Sequence, residues 1–135
     1  FTARVRSDLL KEAEQMLAAS KSGLHTIIDS RSAERFSGEA PEPREGLPSG
    51  HIPGSVCLPS ERLRTPDGKM KSAEELAKLF PNPSSATIAT CGSGVSAAVV
   101  ALALARLGNW DVAVYDGSWT EWASDGSRPI ATGPA

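Results

Sequence analysis

The chain is predicted to be an α/β domain with a central parallel sheet flanked by helices on both faces, a class that three observations point to. Four short β-rich runs, at residues 26–29, 55–58, 87–90 and 112–115, are almost continuously apolar, as strands covered on both sides are. Helix patterns lie between them, so strand and helix alternate along the chain. The 135 residues, 40% hydrophobic and 22% charged, suit one domain able to bury a core.

The elements follow in order. Leu9, Leu10, Ala13, Met16 and Leu17 recur at helical spacing behind Ser7-Asp8, which can cap, so residues 8–19 are predicted as an amphipathic helix closed by Gly23. Thr26-Ile27-Ile28-Asp29 is the first strand. Residues 38–50 hold three prolines, three glycines and four charged residues without periodicity, and are expected to form a long surface loop. Such loops tend to bind something, which draws attention to Arg44. Ser55-Val56-Cys57-Leu58 is the second strand, and Ser72-Ala73-Glu74-Glu75 is a capping box opening a helix that runs to Phe80. After the strand Thr87-Ile88-Ala89-Thr90, residues 96–107 are apolar nearly all round and stop at Gly108, which predicts a helix packed deep against the sheet. Val112-Ala113-Val114-Tyr115 is the last strand. Ser118-Trp119-Thr120-Glu121 repeats the capping box and opens a short helix with Trp119 and Trp122 on one packing face. Residues 131–135 have turn-former composition and are expected to fray.

The formal net charge of −2 offers no attraction to nucleic acid or to an anionic membrane. The longest apolar run, residues 95–107, falls short of the ~20 residues of a membrane span and is broken by Ser96 and Arg106. Cys57 and Cys91 are the only cysteines, and no His/Cys cluster has zinc-site spacing, so neither a disulfide framework nor a metal or other cofactor is expected. The chain opens on Phe1 with no charged segment or small-residue cleavage site, and a secretory signal is not expected. A reactive unpaired cysteine favours a reducing cytoplasm, with an organelle as the alternative.

The most informative stretch is Cys91-Gly92-Ser93-Gly94-Val95-Ser96, between a strand and a helix. Two glycines allow successive backbone N–H groups to turn inward as an anion-binding nest, and the following helix adds its positive end. Both favour a thiolate, which makes Cys91 a nucleophile rather than an inert core thiol. Cys57, within an apolar strand, is assigned to packing. Of the loop serines, Ser96 is expected to cap the helix and Ser93 to donate a hydrogen bond. Asp29 and Asp116 fall with Cys91 at the carboxyl ends of strands, where they are expected to fix loop hydrogen bonds, and Trp119 is expected to support the same region. His51, before Ile52-Pro53-Gly54, is expected to make a structural hydrogen bond. Arg35 and Arg44 remain open between solvated charge, or a local ion pair of Arg44 with Glu42 or Glu45, and a role in binding.

Ile28-Asp29-Ser30-Arg31, then Gly50-His51-Ile52-Pro53-Gly54-Ser55, the loop from Cys91, and Tyr115-Asp116-Gly117-Ser118-Trp119 together resemble the rhodanese family over nearly the whole length. Within it, the loop 91–96 and Glu42-Pro43-Arg44-Glu45-Gly46 resemble the members that act on 3-mercaptopyruvate. The resemblance implies a sulfurtransferase: Cys91 takes sulfur as a persulfide, pyruvate leaves, and a thiol, cyanide or a dithiol protein such as thioredoxin accepts the sulfur. It also implies that the loop residues Gly92, Ser93, Gly94, Val95 and Ser96 hold the persulfide, that Arg35 and Arg44 hold the substrate's carboxylate and keto oxygen, and that Ser93 assists proton transfer. Such proteins carry two tandem rhodanese domains, so this chain is expected to match the second, with an N-terminal domain as its partner.

Three other functions compete. Thiosulfate, a small dianion, should benefit from a cation in the loop, and residues 92–96 hold none. A cysteine phosphatase of related fold needs a longer loop ending in arginine. A non-catalytic binding module would have no use for a complete cysteine loop.

Overall fold

A computed structural model describes residues 1–134. Five parallel strands form one sheet in the order β1-β5-β4-β2-β3, where β1 is Leu10–Lys11, β2 Thr26–Asp29, β3 Ser55–Cys57, β4 Thr87–Thr90 and β5 Ala113–Tyr115. The helices are α1 (Ala13–Ser22), α2 (Ala33–Ser37), α3 (Ala73–Ala77), α4 (Val95–Arg106) and α5 (Ser118–Ser124).

Adjacent residues of a strand face opposite sides of a sheet, and the core divides accordingly. Ile28 and Ala89 join Leu76, Val100 and Leu104 on one face, whereas Ile27, Ile88 and Ala113 join Met16, Trp119 and Trp122 on the other. Each inner strand therefore has to be apolar at successive positions, which is the run pattern of the sequence. The fold class expected from it holds.

The first helix starts later than expected. Leu10 and Lys11 pair with Val114 and Tyr115 as a fifth, edge strand, because the β5 backbone offers them ladder bonds. Helix α1 begins only at Ala13, where Glu12 and Gln15 exchange capping bonds, and it ends at Gly23 with φ +66° as expected. The Ser72 capping box forms, but α3 stops at Ala77, short of Phe80. Helix α4 spans the predicted run to within one residue at each end and is followed by Gly108 at φ +94°. Residues 38–50 contain no helix or strand.

The frayed tail is corrected over its described part. Ala131 exchanges two backbone hydrogen bonds with His51, at 2.8 and 2.9 Å, and Gly133 N–H donates to Ser37 O at 2.8 Å; Ala135 lies outside the described residues. No helix among the described residues is long and apolar enough to cross a membrane.

The chain runs outward from β2 to β3 and then returns to lay β4 on the other side of β2. Loops after β2 and β4 therefore diverge and leave a crevice at the carboxyl edge of the sheet, the place where open parallel sheets bind ligands.

Candidate active site

That crevice is a cleft of about 510 Å³ lined on one side by Ser30, Arg35 and Arg44 and on the other by the loop from Cys91 to Ser96. Cys91 follows β4 directly and is 2% exposed.

The shape of the loop follows from where its peptide groups bond. The amides of Trp119 and Thr120 lie in the first turn of α5 and have no partner within that helix. They donate instead to the carbonyls of Cys91 (2.9 Å) and Gly92 (3.0 Å), and Thr120 Oγ1 adds a bond to Gly92 O at 2.7 Å. Across a trans peptide the N–H points opposite to the C=O, so the amides of Gly92 and Ser93 turn away from α5. Gly94 then bends the chain at φ +91° into α4 and donates its N–H to Cys91 Sγ at 3.0 Å. A Cβ at Gly94 would stand 2.8 Å from Asp116 O, so glycine is required there for space as well as for φ. Asp116 thus packs against the loop at Gly94 without the expected hydrogen bond, and Asp29 accepts from Arg31 rather than from the loop.

Burial alone would push the Cys91 thiol up. The Ser96 hydroxyl and the backbone N–H groups of Ala97, Ser93 and Gly94 outweigh it, and the pKa falls below the ordinary cysteine value. Cys57 shows the contrast: half-buried, without such donors and near Asp29, its thiol is pushed up to about 11. Both cysteines are free.

Ser96 does not take its expected role as a cap. No side chain caps α4, where Gly94 stands at the N-cap. Ser96 faces the sulfur and shares a 2.9 Å hydrogen bond with Ser30 Oγ. Ser93 gives its backbone to the sulfur, and its hydroxyl is exposed on the cleft.

Ser118 was expected to cap α5, but it belongs to the site. It is fully buried at φ +51°, accepts from Cys91 N–H at 3.1 Å and donates to Tyr115 O at 2.8 Å; its Oγ is 3.9 Å from Cys91 Sγ. A polar residue held in left-handed backbone is strained by about 1–3 kcal/mol, which the buried hydrogen bonds offset. Glu121 does not cap either, since Tyr115 donates its hydroxyl to it at 2.6 Å.

Asp29 and Arg31 form a buried ion pair at 2.6 Å, and Arg31 lies 4.6 Å above the Trp119 ring. Trp119 N–H donates to Pro48 O at 3.0 Å, so this tryptophan packs beneath the 38–50 loop as support and does not line the cleft. Arg35 leans across Gly92 and pairs with Glu42, its side chain 27% exposed. Arg44 is exposed at the cleft and makes no ion pair among the described residues, which removes the local pairing with Glu42 or Glu45. His51 hydrogen-bonds Phe36 O at 2.8 Å and stacks on the Phe36 ring, the structural role expected of it.

Sequence reasoning did not find Ser30, Arg31, Glu42, Ser118 or Thr120. Arg31 and Ser118 lay inside motifs already singled out; Glu42 sat in the flagged loop as one acid among several.

Comparison with known proteins places the chain in a family. Residues 9–125 match the family model described as Rhodanese-like domain. The chain is 44% identical over 134 residues to "Thiosulfate/3-mercaptopyruvate sulfurtransferase 2" of Arabidopsis thaliana, covering 96% of this chain and 39% of the relative. It is 47% identical over 127 residues to "Thiosulfate sulfurtransferase" of Mus musculus, covering 90% of this chain and 43% of the relative. Among solved structures, the Tum1 protein of Saccharomyces cerevisiae superposes with a TM-score of 0.87 at 35% identity, over 99% of this chain and 50% of that one. This chain thus spans half or less of the length of these relatives.

Proposed function

The chain belongs to the rhodanese-like domain family, and from that premise we propose that it is the sulfur-carrying domain of a 3-mercaptopyruvate sulfurtransferase. The observation that carries the proposal is the Gly94 N–H on Cys91 Sγ at 3.0 Å, with the Ser96 hydroxyl and further loop amides beside it. Four residues, Ser93, Gly94, Ser96 and Ala97, thereby offer donors for an anionic sulfur without contributing a cation.

In the donor step the Cys91 thiolate attacks the sulfur of mercaptopyruvate. The S–S bond of a persulfide forms as the donor's C–S bond breaks, and the electron pair passes to carbon as the enolate of pyruvate. That enolate takes a proton, which the Ser93 hydroxyl relays from the donor's own thiol, a role its exposure on the cleft supports. In the acceptor step a thiol, cyanide or a dithiol protein such as thioredoxin removes the outer sulfur and restores Cys91. Arg35 and Arg44 bind the carboxylate and keto oxygen. Their fork-shaped guanidinium groups suit a planar α-keto acid, and both line the cleft outside the loop itself.

Thiosulfate is the second reading, favoured by the 47% identity to the mouse thiosulfate sulfurtransferase. A loop whose own residues carry no cation, with Arg35 reaching over Gly92 and Arg44 exposed at the cleft, suits the longer organic acid better. We also infer that the chain is the second, cysteine-bearing domain of a two-domain protein, since the relatives are more than twice its length. An unpaired reactive thiol suits a reducing compartment, the cytoplasm first.

Parallel single turnovers with mercaptopyruvate and thiosulfate test the donor. Faster persulfide formation with mercaptopyruvate is expected; faster formation with thiosulfate would reverse the assignment.

A further inference from the structure

Glu42 is the most heavily engaged acid of the cleft, its side chain only 3% exposed. Its Oε1 accepts from Arg31 Nη1 at 2.8 Å and Arg35 Nε at 3.2 Å, and its Oε2 accepts from Arg35 Nη2 at 2.5 Å. Arg31 is itself immobilised by Asp29, by Gly50 O at 2.7 Å and by the Trp119 ring beneath it. Trp119, Arg31 and Glu42 thus form a rigid stack that ends on Arg35.

A guanidinium group has two edges able to grip a carboxylate side by side. Glu42 occupies the Nε/Nη2 edge of Arg35, leaving the Nη1/Nη2 edge without a partner among the described residues. Arg35 Nη2 lies against Gly92, 2.8 Å from where a Cβ would be, so the free edge is held beside the Cys91 loop. Charge adds a second point. Arg31 and Arg35 are balanced by Asp29 and Glu42, so this group is neutral and Arg44 is left as the unpaired cation of the cleft. Arg35 then recognises by geometry, and Arg44 attracts by charge.

We propose that Glu42 is a positioning residue that holds the free edge of Arg35 for the carboxylate of the sulfur donor, and so sets a preference for carboxylate-bearing donors. This rests on the reading of Arg35 given above. A donor lacking a carboxylate, such as thiosulfate, is drawn by the unpaired Arg44 and depends less on Glu42.

The test follows protection of Cys91 from alkylation by pyruvate, which carries the same carboxylate and keto groups and needs no turnover. Glu42→Gln, Arg35→Ala and the double variant are compared with Glu42→Asp and Arg35→Lys. The pyruvate concentration giving half-protection is expected to rise about tenfold in Glu42→Gln and in Arg35→Ala, with no further rise in the double variant. Glu42→Asp should recover part of the loss. Half-protection by thiosulfate should move less than about twofold in Glu42→Gln. Arg35→Lys leaves the Arg31 pairs of Glu42 in place but removes the second edge, and is expected to lose as much as Glu42→Gln even if that variant folds poorly. Multiplying effects in the double variant, or equal losses for pyruvate and thiosulfate, would overturn the role of Glu42. Unchanged protection in Arg35→Ala would instead show that Arg35 does not bind the carboxylate, and both readings would fall together.

Discussion

At the scale of single residues the site is governed by how each group is solvated. Cys91 and Cys57 are the same side chain in one protein, yet loop donors lower the first and burial raises the second to about 11. Only the thiolate alkylates, and its fraction grows as pH rises through the pKa. The alkylation rate of Cys91 should therefore reach half its plateau below the ordinary cysteine range, and that of Cys57 above it. Ser96→Ala removes one donor to the sulfur, so the Cys91 midpoint should move to higher pH while that of Cys57 stays in place. Alkylation rates followed across pH by mass spectrometry check both. If Arg44 makes the substrate contact proposed for it, Arg44→Ala should cost about 1.5–3 kcal/mol, or roughly 10–150-fold in kcat/KM for mercaptopyruvate; kinetics matching the wild type would return Arg44 to the solvated surface. The lowered thiol was legible in the sequence because a cysteine followed by two glycines at a strand-to-helix turn can bring loop amides to its sulfur. Glu42 was not, because several carboxylates follow Arg31 and only the fold selects which one it meets. Ser96 was misassigned to a cap for a related reason: whether a loop hydroxyl faces a helix end or a sulfur depends on the turn at Gly94, which spacing does not reveal.

At the scale of elements, two helices from opposite faces of the sheet meet at the loop. Helix α5 grips the carbonyls of Cys91 and Gly92 with its first-turn amides, and α4 starts where Gly94 releases the chain. The two loop glycines should consequently respond differently to a methyl group. Gly94→Ala forces a Cβ onto backbone at φ +91° and is expected to cost about 1–3 kcal/mol or more, read as a lower Tm. At Gly92 the obstacle is the side-chain end of Arg35 and not backbone. Gly92→Ala should leave Tm nearly unchanged and weaken donor binding by displacing that arginine. Equal melting temperatures for the two variants would contradict this division. Four strands, the Ser72 cap and helix α4 were legible, since apolar runs and capping boxes are local patterns. The edge strand at Leu10–Lys11 was not, because its two residues continue a helical spacing and become a strand only through the free edge of β5. The apparent capping box at Ser118 misled because Ser118 and Glu121 find other partners, Cys91 and Tyr115.

At the scale of the whole molecule, a parallel sheet with its switch between β2 and β4 brings residues from the 26–44 region to a cysteine some fifty residues further on. The cleft of about 510 Å³ follows from that topology. The relatives are more than twice as long, so a partner domain is expected to speed turnover of an otherwise competent nucleophile. The most direct test of that competence is the intact mass of this chain after incubation with mercaptopyruvate, with Cys91→Ser alongside. One added sulfur on the wild type, absent from the variant and removed by a small thiol, is the predicted result. An unmodified wild type, or sulfur retained by Cys91→Ser, would contradict the assignment of Cys91 as the sulfur carrier.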